Sequence, residues 1–154
     1  MNTILIAFIL LFPICYIIGS VNSSIILSRI YKLPDPRDYG SKNPSATNIL
    51  RSGNKILSLL ILLLDILKGF LPVLIAYYII EDKLYVQVAG VIAVLGHIYP
   101  IFYKFKGGKG VATAFGAILG FDIILGLICM ITWLITAFLF RYSALSAIVS
   151  FTFL

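Results

Sequence analysis

The 154-residue chain is 61% hydrophobic and 12% charged, with a formal net charge of +6 and a mean hydropathy of +1.08. A soluble domain carries about a quarter charged residues, and a core this small cannot hide so many apolar side chains. The composition therefore excludes an ordinary water-soluble globule and points to a bilayer. The basic residues cluster in a few short stretches and the aromatics lie inside apolar runs, so no nucleic-acid partner is expected. Cys15 and Cys129 each stand in an apolar run without metal-ligand or disulfide spacing. They read as small buried hydrophobes, and neither metal nor cofactor is expected.

Apolar runs cover roughly 3–28, 56–80, 84–103, 111–120, 122–140 and 143–154. The first has no basic n-region, since the first Lys or Arg is Arg29, and no A-x-A-like site follows it. It reads as a retained span rather than a signal peptide. The fourth is too short to span alone, and the sixth is cut by the end of the chain. The expectation is an all-α, polytopic transmembrane helix bundle of about five spans plus a truncated sixth, forming one membrane domain over 1–154. Arg29, Lys32, Arg37, Lys42, Arg51 and Lys55 fall in the loop 29–55, Lys104, Lys106 and Lys109 in the loop 104–110, and Arg141 at the last turn-around. The opposite loops hold Lys83, in the turn Glu81-Asp82-Lys83, and Asp122. The positive-inside rule then places the N-terminus outside and the basic loops in the cytoplasm.

Polar residues inside the spans need an account. Ser20, Ser24 and Ser28 share one helix face, and Gly19 with Ser23 makes a small-xxx-small pair. Helix packing with hydroxyls bonded to backbone carbonyls explains them, and a face lining a cleft is the alternative. Asp65 and Lys68, three residues apart, can pair on one face, either bracing the bundle or turning Lys68 towards an anionic substrate. His97, the single histidine, lies in Gly96-His97-Ile98-Tyr99-Pro100 near the end of the third run. It reads as structural or as a general base, and no carboxylate is paired with it by the sequence.

The strongest local signal is Phe105-Lys106-Gly107-Gly108-Lys109-Gly110-Val111-Ala112-Thr113. Glycines let backbone approach a ligand closely, and a helix starting near Val111 would aim free N–H groups into a lysine-flanked turn, which is an anion site. It is not a Walker A loop, which needs G-x-x-x-x-G-K-[ST]. A second signal runs from Asp35 to Arg51, dense in hydroxyls, amides and cations with Gly and Pro setting turns. It reads as a ligand cradle, with a plain solvated loop as the alternative.

Gly19-Ser20, Asp35 to Arg51, Asp65 to Gly69, Gly96 to Pro100 and Phe105 to Thr113, with Arg141-Tyr142-Ser143 to Ser146, together resemble the bacterial acyl-phosphate:glycerol-3-phosphate acyltransferase family. The resemblance covers essentially the whole chain, with the motifs in the family's order. It implies a bacterial inner-membrane enzyme with its active site facing the cytoplasm. Such an enzyme moves a fatty acyl group from acyl phosphate to the 1-hydroxyl of glycerol 3-phosphate and makes lysophosphatidic acid. Its partners would be acyl phosphate, glycerol 3-phosphate, membrane lipid and the peripheral enzyme that makes acyl phosphate. By the same resemblance Ser41, Arg51 and Lys109 are the catalytic positions. Asn43, Thr47, Asn48, Lys68, His97, Lys106, Gly107, Gly108, Gly110 and Ser143 are the substrate-binding ones. An acyl phosphate is a mixed anhydride that a hydroxyl can attack directly, so an enzyme acting on it needs positioning and charge stabilisation rather than a covalent nucleophile.

Two features depart from the family. Ser45 stands where glycine is usual, and a positive φ there would strain a serine. Relatives also continue for several tens of residues beyond the position of Leu154, so the resemblance implies a C-terminally shortened chain. A shortened, non-catalytic relative that binds acyl or glycerol phosphates is the alternative reading. A small anion transporter is a third, but it predicts deep polar residues in several spans and a repeat symmetry that is not visible.

Overall fold

The computed structural model describes residues 5, 7–80 and 82–152. Residues 3, 4 and 6 of the first apolar run, Glu81 of the acidic turn, and 153–154 of the sixth run lie outside the described residues. All regular structure among the described residues is helical. A π-helical turn, Ala7–Leu11, leads into α1 (Phe12–Ser20). Then come α2 (Ser23–Ile30), α3 (Ala46–Arg51), α4 (Lys55–Ile79) and α5 (Lys83–Ile98). A 3₁₀ turn at Ile101–Tyr103 precedes α6 (Val111–Phe121), α7 (Ile123–Phe140) and α8 (Ser143–Thr152).

Polar residues in the turns start these helices. Asn22, Ser45, Asn54, Asp82 and Asp122 each accept a hydrogen bond from a first-turn N–H, satisfying donors that an apolar first turn would leave unpaired.

The all-α membrane bundle stands, but its spans divide differently from the apolar runs. Lys55–Ile79, Lys83–Tyr103 and Ile123–Phe140 are long and apolar enough to cross a membrane. Ile9–Ser20 and Ser23–Ile30, bent by 45°, make a fourth crossing when taken as one broken span. At 11 and 10 residues, α6 and α8 reach roughly 15–17 Å, about half of the hydrocarbon thickness.

The uninterrupted first apolar run conceals the break. Asn22, with extended backbone, caps a new helix by accepting from Ile25 N–H at 3.1 Å. The carbonyl of Val21, released from the helix ladder, accepts a hydrogen bond from Lys68 Nζ at 2.8 Å. A break at membrane depth is tolerated where freed backbone groups find partners in this way. Ser20, Ser24 and Ser28 are buried on the expected face. Their hydroxyls do not bond to backbone carbonyls, however, and have no hydrogen-bond partner among the described residues.

Glycine sets the closest helix approaches. A side chain on Gly19 would collide with the carbonyl oxygen of Ala93, and one on Gly96 with that of Tyr16, so α1 and α5 meet backbone to backbone. Gly69 and Gly116 join α4 to α6 in the same manner. One core cluster, including Leu11, Phe12, Cys15, Val73, Ala76 and Val86, fills one end of the bundle. A second, of Ala46, Ile49, Leu57 and Ile61, seats the short α3 on the start of α4. Both cysteines are buried and free, as expected.

Candidate active site

Three basic segments far apart in sequence meet at one end of the bundle, around a cleft of about 370 Å³. Asn43, Ser45 and Thr47 enter from the first loop, Lys109 and Gly110 from the glycine-rich turn, and Ser143 from the start of α8. Asp65 and His97 close its inner wall. The remaining surface is apolar, with Leu62, Ile66, Phe115, Met130, Trp133 and Leu134 among its residues. The cleft thus combines polar groups from the loops with an apolar lining from the helices, the usual make-up of a small-molecule site.

The first loop is organised by Asn48, which is 1% exposed. Its Nδ2 donates to the carbonyls of Pro36 and Tyr39 at 2.8 and 3.2 Å, and its Oδ1 accepts from Ser41 N–H at 3.0 Å. Gly40 holds φ +58° directly against Asn48 Oδ1, where a Cβ would not fit. Asn48 therefore has no amide group left for substrate and acts as the hub of the loop. Asn48→Ala strands three backbone groups, at about 1 kcal/mol for each bond. It is expected to destabilise the protein by about 2–3 kcal/mol, read as a lower melting temperature in detergent.

Ser45 sits at φ −143°, ψ 156°, extended backbone that any residue adopts, so serine here is unstrained. It caps α3 and pairs with Thr47 Oγ1 at 3.2 Å. Nearby, Arg37 grips Asp35 through Nε and Nη2 at 2.9 and 2.7 Å. The Arg37 hydrogen bond holds the Asp35 carboxyl below the usual carboxylate range, and Asp35 in turn raises Arg37.

The glycine-rich turn differs in detail from the sequence expectation. Gly107 N–H donates to Ile98 O and Gly108 N–H to His97 O, both at 3.1 Å. Side chains at these positions would strike the end of α5, including the His97 ring. Their N–H groups are thus committed to α5, and the glycines serve close packing rather than ligand contact. The free donors lie one step later. Gly110, at φ +80°, begins α6 without any side-chain cap. The first-turn N–H groups of α6, with Lys109 beside them, face the cleft at the positive end of the helix dipole.

The other predicted residues divide sharply. Asn43, Thr47, His97, Lys109, Gly110 and Ser143 line the cleft. Lys68 does not: it is buried, pairs with Asp65 at 2.8 Å and donates to Val21 O. Ser41, Arg51 and Lys106 are exposed outside the cleft lining. Sequence reasoning missed Ser45, Asp65, Phe115 and Trp133 as lining residues. Trp133 packs edge-on to Phe115, with ring centroids 6.4 Å apart and planes at 73°. An aromatic residue inside an apolar helix carries no signal that it faces a cleft.

Fold and cleft together define an integral membrane helix bundle with a lysine-flanked cleft at one end. A family model described as glycerol-3-phosphate acyltransferase matches residues 9–154. The chain is 50% identical over 135 residues to a glycerol-3-phosphate acyltransferase of Tolumonas auensis, covering 88% of this chain and 66% of that one. It is 48% identical over 143 residues to the Legionella pneumophila (strain Philadelphia 1) protein of that name, covering 93% and 52%. The crystal structure of PlsY (YgiH), an integral membrane glycerol 3-phosphate acyltransferase, matches in its glycerol 3-phosphate form with a TM-score of 0.84 and 37% identity, covering 91% of this chain and 70% of that one. The lysophosphatidic acid form matches with a TM-score of 0.82 and 35% identity, covering 91% and 69%. The chain belongs to the glycerol-3-phosphate acyltransferase family, and it spans from about half to two thirds of the length of these curated relatives.

Proposed function

We propose that this chain is a membrane acyltransferase that moves a fatty acyl group from acyl phosphate to the 1-hydroxyl of glycerol 3-phosphate, giving lysophosphatidic acid. The observation that carries this reading is the single cleft in which Lys109 and the uncapped start of α6 stand opposite Asn43 and Thr47, with an apolar wall of Phe115, Met130 and Trp133 beside them. The polar side suits the phosphates and the wall suits the acyl chain. PlsY structures in glycerol 3-phosphate and lysophosphatidic acid forms support the acceptor and the product.

In the reaction the acceptor hydroxyl oxygen bonds to the acyl carbon, the carbon–oxygen bond to phosphate breaks, and inorganic phosphate leaves. The hydroxyl proton passes to the departing phosphate. His97 is poorly placed to take it, since Nε2 lies against Gly108 and Nδ1 faces Asp65 at 4.0 Å. Ser41 and Arg51 would act from the exposed loop above the cleft. The basic segments around the cleft support, by the positive-inside rule, a position at the cytoplasmic face of a bacterial inner membrane. There it would receive acyl phosphate from the peripheral enzyme that makes it.

The test is transfer itself. The chain in lipid vesicles, given palmitoyl phosphate and labelled glycerol 3-phosphate, is expected to form labelled lysophosphatidic acid. A well-folded sample that binds glycerol 3-phosphate but forms no product would instead be a phosphate-binding relative.

A further inference from the structure

From the inner wall of the cleft, where Asp65 and His97 lie, a row of buried polar groups runs to Lys68 and the break between α1 and α2, and the transfer reaction does not use it. Asp65 and Lys68, 3% and 6% exposed, pair at 2.8 Å inside α4. Charges at membrane depth are costly, by roughly 2.5–3.5 kcal/mol each on insertion scales. A pair that served only to neutralise itself would be no better than two apolar residues of the same volume. Here each member has a second polar neighbour. Lys68 Nζ also donates to Val21 O at 2.8 Å, the carbonyl released at the break between α1 and α2. Asp65 Oδ1 also faces His97 Nδ1 at 4.0 Å, beyond hydrogen-bond distance, and, the ion pair with Lys68 aside, neither atom has a hydrogen-bond partner among the described residues.

His97 in turn holds the glycine-rich turn. Its carbonyl accepts from Gly108 N–H at 3.1 Å, and the carbonyl of Ile98 accepts from Gly107 N–H at 3.1 Å. Its imidazole Nε2 lies against Gly108 so closely that a side chain there would collide with it. Lys109 and the start of α6 follow directly in sequence.

We infer that Asp65, Lys68 and His97 are positioning residues: a buried row of polar groups from the break at Val21 to the Gly107–Gly108 turn that fixes where Lys109 stands relative to Asn43 and Thr47. The inference rests on the acyltransferase reading for its ligand, glycerol 3-phosphate. A side chain that contacts a bound phosphate keeps its geometry only when the groups behind it are themselves fixed, so loosening that support is expected to weaken phosphate binding.

The test compares Asp65→Asn, Lys68→Met and the double variant with the unaltered chain in lipid. Glycerol 3-phosphate binding is measured by calorimetry and acyl transfer by kinetics. Each single variant strands a buried charge and is expected to melt lower. The double variant removes both charges together and is expected to keep the fold. It should bind glycerol 3-phosphate at least about tenfold more weakly, with KM raised in proportion and kcat within about threefold, the pattern of lost ground-state binding. Should it fail to fold, His97→Gln keeps the backbone carbonyl for Gly108, removes the imidazole, and carries the same expectation. Binding as tight as in the unaltered chain, whatever the melting temperature, overturns the inference and leaves the pair a structural brace. A kcat loss of about a hundredfold at unchanged KM also overturns it and moves these groups into the chemistry. An unaltered chain that binds glycerol 3-phosphate but forms no product fails the acyltransferase reading alone, and the binding comparison still decides. One that binds none overturns both.

Discussion

Lys109→Ala is expected to lower acyl transfer by at least about a hundredfold, the scale seen when a pre-placed charge or donor is removed from a developing anion, with the melting temperature unchanged. The separation of the two effects follows from the structure. Lys109 is exposed at the cleft and its side chain makes no hydrogen bond or ion pair among the described residues, whereas its neighbours Gly107 and Gly108 are bonded to α5. Removing its side chain therefore leaves the turn in place and takes away only the ammonium beside the uncapped start of α6. Lys109→Arg keeps the charge but replaces a compact ammonium by a longer planar fork, and should recover only part of the loss. The kinetic pattern assigns the role. A rise confined to KM for glycerol 3-phosphate would place Lys109 on the acceptor's phosphate, and a fall confined to kcat would place it on the charge that develops during transfer. Activity within about threefold of the unaltered chain would sink the assignment of this turn as the anion site.

What the sequence disclosed about the fold follows from the range of the interactions involved. The long apolar helices around Leu63, Ala89 and Ile131 were legible because hydrophobicity is a local property, and so was the Asp65–Lys68 pair, because a spacing of three residues is set by the helix itself. The break at Val21–Asn22 was not. The apolar run passes through it, and the carbonyl that makes it tolerable is satisfied by Lys68, 47 residues away.

The site divides in the same way. Gly110 and the start of α6 could be read from the glycine–lysine pattern, since a helix N-terminus is built by its own residues. Gly107 and Gly108 carried the same signal but have a different use, which depends on where α5 ends and how His97 is turned. Asn48 looked like a ligand group because a polar residue in a loop does not reveal that its amide is already bonded to Pro36, Tyr39 and Ser41. Trp133 faces the cleft only because α7 folds back beside α6, a contact no local pattern encodes.

Gly116→Val is expected to prevent assembly of a stable bundle, and Gly116→Ala to lower the melting temperature measurably. A side chain on Gly116 would enter the carbonyl of Ile66, with Phe70 N at 3.0 Å, and on the facing helix one at Gly69 would enter the carbonyl of Thr113, with Ala117 N at 3.0 Å. Overpacking among flexible side chains costs about 1–3 kcal/mol. Here the obstacle is backbone on both sides, which cannot rotate away, so the helices must part. In a bilayer this is especially damaging, because lipid is as apolar as the helix surface and association depends on close packing. The same seam sets the width of the cleft: Leu62, Asp65 and Ile66 come from α4, and Val111, Ala112 and Phe115 from α6. Gly116→Ala should therefore raise KM for glycerol 3-phosphate even in protein that remains folded. Size-exclusion chromatography and thermal melting in detergent measure the assembly, with Ile128→Leu, on an exposed face of α7, as the silent control. A monodisperse Gly116→Val protein that melts with the unaltered chain would show that the approach of α4 to α6 does not hold the bundle. The geometry of the cleft would then have to be set by the loops around Asn48 and Gly108 instead.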